Sequence, residues 1–265
     1  LPDLVPDTAG EVEWAAENRS FFYTKLDNNH RPRWIYRHFL GASATDDILV
    51  YEEPDPGFFV SLGRSESAHY ILIECSDHET SETRLIDATE PDYPPLLVAE
   101  RDTGVLYSVS ERNHTLIILT NAEDAEDFKI VTANLADPDR DHWTDLVPHR
   151  PGVLILGLLA FADHLVRIEM ADALPRIVVR DNDGGDEHTI AVEEEAFSLG
   201  LIPLYEFEAT LRYTYSSPTT PLQVYDYDLH ARVRALRKEQ EVPSGHNPAA
   251  YVTRRIHATS HTDDG

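Results

Sequence analysis

The chain of 265 residues carries 48 acidic side chains against 22 basic ones, a formal net charge of −26. This charge argues against a nucleic-acid partner, because the phosphate backbone selects a positive protein face, and it favours cationic partners, although solubility or a salty habitat would explain it equally well. The longest apolar segment, Val153 to Phe161, is too short to span a bilayer, so a soluble protein without a membrane helix is predicted.

The single cysteine, Cys75, lies inside an apolar segment and is predicted to be a small buried side chain. One cysteine excludes disulfides and multi-thiolate metal sites within the chain, so nothing requires an oxidising compartment and a cytoplasmic location is favoured. The sequence begins Leu1-Pro2-Asp3, without a methionine or a signal peptide, and we expect its natural start to lie further upstream.

One apolar strand recurs five times along the chain, and the first residues of successive copies are 48, 46, 49 and 47 positions apart. A second strand follows each copy after a polar turn. Periods of about 40 to 50 residues with several short strands per unit are typical of β-propeller blades. The recurring strands are Phe21–Lys25, His69–Ile73, Thr115–Leu119, His164–Ile168 and Leu211–Tyr215, and their followers are Trp34–Tyr36, Thr83–Ile86, Phe128–Val131, Arg176–Val179 and Gln223–Tyr225.

The repeats predict one all-β domain over residues 1–265, built from about five four-stranded blades. Trp14 lies on the opening strand of the first blade, and Pro91 to Pro95 ends the second, so that Leu96–Val98 opens the third. The fifth blade is predicted to open with the strand Leu204–Phe207. No stretch of a dozen residues sustains helical spacing of apolar side chains. The predicted blades are residues 10–50, 56–93, 95–148, 150–200 and 201–262.

Few residues suggest chemistry. Gly63 to Ser67 is similar to the start of a nucleophile elbow but lacks the final glycine and lies in a predicted hairpin, so Ser65 is not expected to be catalytic. His257 and His261 are four residues apart, but no glutamate lies at the required place and the segment is interpreted as a strand end. His30 and His38 flank a hairpin without metal-site spacing. We therefore predict no catalytic residue, no metal site and no cofactor, and assign no substrate-binding residue.

Two acidic clusters are candidates for binding a cationic peptide or an ion. They are Glu193-Glu194-Glu195 and the pair of segments Asp46-Asp47 and Glu52-Glu53. A run of charges is more often a solvated face, which is the favoured interpretation. The sequence does not show which carboxylates meet in space, so acid and base roles cannot be assigned.

The repeats resemble the oligopeptidase B branch of the prolyl oligopeptidase family of serine peptidases over nearly the whole chain. The most specific segment is Leu211 to Pro221, followed by Val224 to Asp228, which is similar to the family's last blade. Weaker matches are Val50–Glu53, Phe58–Leu62, Leu119–Asn121, Phe128–Lys129 and Glu241–Pro243. Two departures are Glu169-Met170, where Glu-Arg is expected, and Ser244 to Pro248 before Tyr251.

This resemblance implies a seven-bladed propeller that covers an α/β-hydrolase domain bearing the catalytic Ser, Asp and His. The family cleaves short peptides after Arg or Lys. Asp264-Gly265 is similar to the start of the hydrolase domain, so we expect the N-terminal blades and that domain to be absent from this chain. The chain alone is then expected to be an inactive, incomplete propeller that gates cationic peptides in its parent enzyme, and its exposed blade edges are expected to favour self-association.

Two other functions are compatible with the sequence. A stand-alone acidic propeller acting as an interaction scaffold for basic proteins fits the same charge, because a fold does not fix a function. A propeller enzyme acting on sugars ranks last, because no recurrent acidic and aromatic sugar site is found.

Overall fold

The computed structural model describes residues 3–204 and 209–259, and within them twenty strands form five four-stranded antiparallel sheets. In every sheet the strands follow chain order, each paired with the next. The all-β propeller fold predicted from the repeats is confirmed, and three 3₁₀ turns are the sole helical pieces of the described ranges. These turns are Ala44–Asp46, Arg140–His142 and Pro248–Ala250.

Sheets 1 to 3 belong to one compact unit, Leu1–Pro151. Sheet 1 contains β1 (Thr8–Trp14), β2 (Ser20–Leu26), β3 (Pro32–Phe39) and β4 (Ile48–Glu52). Sheet 2 contains β5 (Phe59–Arg64), β6 (Tyr70–Ser76), β7 (Ser81–Asp87) and β8 (Leu96–Leu97). Sheet 3 contains β9 (Tyr107–Arg112), β10 (Thr115–Thr120), β11 (Lys129–Asn134) and β12 (Thr144–Val147).

Sheets 4 and 5 belong to a second compact unit, Gly152–Gly265. Sheet 4 contains β13 (Val153–Ala160), β14 (His164–Ala171), β15 (Leu174–Asp181) and β16 (Glu187–Thr189). Sheet 5 contains β17 (Ser198–Ile202), β18 (Thr210–Ser216), β19 (Gln223–Asp228) and β20 (Val233–Glu239).

The apolar cores lie between facing sheets. On β6, Ile71 and Ile73 pack into the core between sheets 1 and 2, whereas Tyr70 and Leu72 pack into the core between sheets 2 and 3. A strand that is buried on both faces cannot alternate apolar with polar residues, which is why β6 and β10 appear in the sequence as nearly continuous apolar runs. Each such side chain contributes roughly 1.5 to 3 kcal/mol through burial.

The second sheet ends later in the chain than the sequence predicts. Leu96 and Leu97 pair with Leu85 and Arg84, so β8 completes sheet 2 rather than opening the third blade. Pro94 and Pro95 precede this strand without separating it from β7, because β8 is a two-residue edge strand that needs few ladder hydrogen bonds.

The fifth sheet also begins and ends earlier than predicted. Its first strand is β17, not Leu204–Phe207; Leu204 is outside any strand, and Tyr205 to Phe207 lie outside the described residues. Gly200 sits within β17 because a Cβ there would lie 2.8 Å from Oγ1 of Thr214 on the neighbouring strand. The last strand ends at Glu239, so the segment through residue 259 is not part of the sheet.

Candidate functional site

Ser65 is a turn residue whose hydroxyl makes hydrogen bonds within its own hairpin. It directly follows β5, and its buried hydroxyl accepts a 3.0 Å hydrogen bond from the backbone N–H of Tyr70. Its Oγ also lies 3.0 Å from Oγ of Ser67. These contacts close the β5–β6 hairpin, so the hydroxyl has a structural task.

His38 is a buried side chain held by a carboxylate. Its Nδ1 lies 2.7 Å from Oδ1 of Asp47, and the hydroxyl of Tyr23 donates to Oδ2 of the same aspartate at 2.8 Å. Phe21 packs on the imidazole with a ring-centroid distance of 5.1 Å. This contact fastens β3 to the start of β4.

His30, His257 and Cys75 were also singled out in the sequence, and the structure describes all three. His30 occupies an exposed turn with a φ of 59°. His257 is exposed and outside any strand, and His261, four residues further on, lies outside the described residues. Cys75 is buried as predicted, and burial raises the pKa of its thiol to about 12, so it stays protonated at neutral pH. In the described ranges no group of three or more acidic, histidine or cysteine side chains is arranged to hold a metal ion.

The acidic segments around residues 46 to 53 do not form one cluster. Asp47 contacts His38 and Tyr23, as described above, and Glu52 accepts a 2.9 Å hydrogen bond from Arg33 at the surface. Glu53 turns inward and is 2% exposed. Each of these three carboxylates is therefore already paired with a side chain of the same chain.

Glu53 is the centre of a charged network between sheets 1 and 2. Arg101 donates through both terminal nitrogens to its two carboxylate oxygens, and the Tyr51 hydroxyl donates at 2.9 Å. Burial by itself would raise the pKa of Glu53, but these hydrogen bonds and that from the backbone of Asp55 lower it overall. Nε of Arg101 lies 3.5 Å from Glu82 of β7. Sequence reasoning missed Arg101, because it lies in a loop 48 residues from its partner.

Glu194 occupies a cup of hydroxyl groups in the second unit. Its Oε1 accepts hydrogen bonds of 2.7 Å from both Tyr215 and Thr220, and its Oε2 accepts from Thr219 at 2.8 Å. Burial tends to raise the pKa of Glu194, but the hydroxyl hydrogen bonds prevail and lower it to about 2. Several residues of the segment Leu211 to Pro221 build this cup. Oγ of Ser217 accepts hydrogen bonds from the backbone N–H groups of Thr219 and Thr220, and this turn directs both threonine side chains toward the carboxylate.

Two acids of the cluster Glu193 to Glu195 contact the segment of the chain that follows β20. Glu195 forms an ion pair with Arg254 and accepts the backbone N–H of Arg255 at 3.0 Å. Thr253 donates to Glu194 at 3.1 Å. The cluster therefore anchors the segment that follows β20, while Glu193 remains 91% exposed.

Charged pairs also stabilise the interior of sheets 4 and 5. The fully buried Glu169 accepts hydrogen bonds from Arg167 at 2.6 Å and from Arg176 at 2.7 Å. Asp226 accepts both Nε and Nη2 of Arg212 at 2.6 and 2.9 Å, and these bonds together with Arg237 lower its pKa. The acid at position 169 is thus compensated by arginines on β14 and β15, and Met170 makes no part of this pairing.

A crevice of about 300 Å³ lies between sheets 2 and 3, and Glu74 of the apolar strand β6 lines it. Tyr107, Leu119 and Phe128 form apolar walls, and Ser61 and Ser81 add hydroxyl groups. Glu74 interrupts the run Tyr70 to Cys75 on β6, and that interruption was the available sequence signal. It is the described cavity that best combines an apolar lining with a carboxylate.

Within residues 3–204 and 209–259 the structure contains no helix that could span a bilayer.

Comparison with known proteins places this architecture in one family. Residues 1–240 match the model of the prolyl oligopeptidase N-terminal β-propeller domain. The chain is 35% identical over 260 residues to dipeptidyl aminopeptidase BI of Pseudoxanthomonas mexicana, covering 97% of this chain and 36% of that protein. It is 27% identical over 263 residues to protease 2 of Moraxella lacunata, covering 98% and 37%.

Solved structures agree with these relatives. Oligopeptidase B from Leishmania major superposes with a TM-score of 0.91 at 28% identity, covering 98% of this chain and 38% of that one. Oligopeptidase B from Trypanosoma brucei gives a TM-score of 0.88 at 30% identity, covering 96% and 37%. The chain spans little more than a third of the length of these relatives, and it belongs to the prolyl oligopeptidase N-terminal β-propeller domain family.

Proposed function

We propose that this propeller segment serves a serine oligopeptidase by controlling which peptides reach a hydrolase domain encoded elsewhere in the full-length protein. The match of residues 1–240 to the family's propeller model carries this proposal. In it, the five sheets are part of a seven-bladed propeller, and the Ser, Asp and His that perform acyl transfer belong to the hydrolase domain. The propeller contributes size exclusion and an electrostatic field.

The proposed substrates are short peptides cleaved after Arg or Lys. The chain has 26 more acidic than basic residues, so ion pairs within it cannot neutralise its charge. An excess of negative charge raises the local concentration of cationic peptides and speeds their encounter with the enzyme. The similarity to oligopeptidase B structures supports the same substrate class.

The proposed location is the cytoplasm. The buried Cys75 is the chain's single cysteine, so the segment gains nothing from an oxidising compartment. The alternative role as a scaffold for basic proteins receives less support, because the similar proteins named above are peptidases. Moreover, the acidic cluster Glu193 to Glu195 already holds a basic segment of its own chain.

Kinetics of the full-length protein test this function. We expect kcat/KM for a short peptide with Arg at the cleaved position to fall as ionic strength rises, whereas a citrulline analogue of the same length should show little change, because salt screens steering between charges only. An unfolded protein containing the same cleavage sequence should be cleaved far more slowly than the short peptide. A full-length protein without peptidase activity would contradict the proposal; equal salt dependence for both peptides would contradict steering alone.

A further inference from the structure

The crevice between sheets 2 and 3 contains a carboxylate without a countercharge. Tyr70 and Leu72 of β6 point into the core between these sheets, and Glu74 continues on the same face of the strand. No ion pair joins Glu74 to an arginine, lysine or histidine within residues 3–204 and 209–259. Burial raises the pKa of this carboxyl, the negative charge of Glu11 raises it further, and a hydrogen bond with Ser61 compensates in part.

This uncompensated acid differs from the other partly or fully buried carboxylates described above. Glu53, Glu169 and Asp226 each receive at least one arginine, and Glu194 receives four hydroxyl groups. An ionised carboxylate that is largely buried without a countercharge lowers stability, so its position at a cavity fits a ligand that supplies the missing charge.

The walls of the crevice are held in place by the backbone. The Tyr107 hydroxyl donates to the carbonyl of Ala99 at 2.8 Å and accepts the N–H of Thr83 at 2.8 Å. Ser81 accepts the N–H of Tyr107 at 2.6 Å and donates to its carbonyl at 2.9 Å. The aromatic ring is therefore fixed by four hydrogen bonds, and a ligand would meet a wall that needs no reorganisation.

Phe128 forms the side of the crevice opposite Tyr107, and its backbone is strained. It lies just before β11 with a φ of 64°, in the left-handed region that a bulky side chain rarely adopts. Its N–H is held by the carbonyl of Ala125 at 2.7 Å, and its ring lines the crevice. Such conformations persist where the surrounding structure enforces them.

We propose that this crevice binds a small organic cation, an ammonium or guanidinium group on a short carbon chain. The cationic group pairs with the Glu74 carboxylate, while the carbon chain contacts Leu119 and the rings of Tyr107 and Phe128. A crevice of about 300 Å³ is at the lower end of small-molecule sites, which suits a ligand of this size. Aromatic faces add attraction for a desolvated cation.

Other ligand classes fit this chemistry less well. An anion would meet the negative charge of Glu74, which lines the crevice. A divalent metal ion requires several oxygen or nitrogen ligands, and the described residues provide no such group around Glu74. The proposed site lies wholly within the unit Leu1–Pro151, so its binding can be measured separately from the peptidase activity proposed above.

Titration of the full-length protein with n-butylammonium chloride, followed by calorimetry and by saturation-transfer NMR, tests the site. We expect saturable binding that strengthens as pH rises through the pKa of Glu74, because the ionised carboxylate is the partner. Glu74→Gln should weaken binding roughly tenfold or more. Glu79→Gln, in the exposed turn after the same strand, is the matched control and should bind as the wild type does.

Ser61→Leu provides a second variant, one that keeps the carboxyl group of Glu74. Ser61 pairs with Glu74 across β5 and β6, so a leucine there should fill the crevice and abolish binding, while circular dichroism should show a folded protein. The neutral analogue n-pentanol should not compete. Absence of saturable binding to the wild type, equal affinity in Glu74→Gln, or equal competition by n-pentanol would each overturn the proposal, whatever the peptidase assays show.

Discussion

The hydroxyl of Thr253 donates a 3.1 Å hydrogen bond to Oε2 of Glu194, although 59 residues separate them. The same carboxylate accepts hydroxyl hydrogen bonds from the β18–β19 turn. One side chain therefore ties the segment that follows β20 to sheet 5, and the neighbouring Glu195 adds an ion pair with Arg254.

Glu194→Gln should loosen this segment. An amide cannot accept all four hydroxyl hydrogen bonds, and it removes the charge that strengthens them. We expect a loss of roughly 1 kcal/mol in the free energy of unfolding at neutral pH, a value kept small because water screens this partly exposed group. Hydrogen exchange should accelerate within residues 251–259.

The loss of stability in Glu194→Gln should become smaller as the pH falls. Because folding lowers the pKa of Glu194 from 4.5 to about 2, its contribution is complete above pH 4.5 and is lost as pH falls toward 2. The difference between wild type and Glu194→Gln in urea unfolding should shrink across that window. Glu193→Gln, whose side chain is 91% exposed, is the control; a similar loss in both variants would contradict the role of the cup.

Arg101→Ala should destabilise the first unit far more than the substitution of a surface arginine by alanine. It leaves the carboxylate of Glu53, with a side chain 1% exposed, without its cation, and such a loss costs about 3 kcal/mol. Arg33→Ala breaks a pair with Glu52 in which both side chains are at least 40% exposed, and should cost less than about 0.5 kcal/mol. Denaturant unfolding of the two variants measures the difference, and equal losses would show that Glu53 is not dependent on Arg101.

The sequence predicts the middle strands of these sheets because burial on both faces leaves a visible apolar run. β6 and β10 show this pattern, and their positions agree with the predicted repeats. Edge strands such as β8, with two residues, and β16, with Glu187–Thr189, bury little and carry no periodic signal. Their assignment depends on pairing with a neighbouring strand, which the linear pattern does not contain.

The sequence shows which charged residues could form a site, but it does not show which side chains they contact in the folded chain. The sequence makes the cluster Glu193 to Glu195 a candidate for binding a cation but favours a solvated face, and in the structure Glu195 pairs with Arg254 of the same chain. Arg101 carries no local motif, and its role follows from a contact with Glu53 that only the folded chain creates. Charge type is a local property of a sequence, whereas the choice of partner depends on how distant strands pack.

Self-association through exposed blade edges stays a prediction, and β20 is the edge on which to test it. All seven residues of β20 are exposed, including Val233 and Leu236 at 60% and 50%. Unpaired edge strands with apolar side chains invite pairing with another chain. Sedimentation velocity of the 265-residue chain should show a concentration-dependent increase in size that Val233→Lys with Leu236→Lys reduces. A monomer at every concentration would contradict the prediction.

Glu74→Gln should stabilise the protein at neutral pH, opposite in sign to Glu194→Gln. Folding raises the pKa of Glu74 above 4.5, so the folded state binds more protons than the unfolded state from that pH up to the raised pKa. Stability contributed by this group therefore falls as pH rises through that window and then stays constant.

The glutamine variant has no carboxyl group to titrate, so its gain in unfolding free energy over wild type should be near zero at acidic pH and grow to on the order of 1 kcal/mol at neutral pH. Urea unfolding across the pH range measures this difference, with the exposed Glu79→Gln as control. A variant less stable than wild type at neutral pH would mean that Glu74 has a stabilising partner in the folded chain.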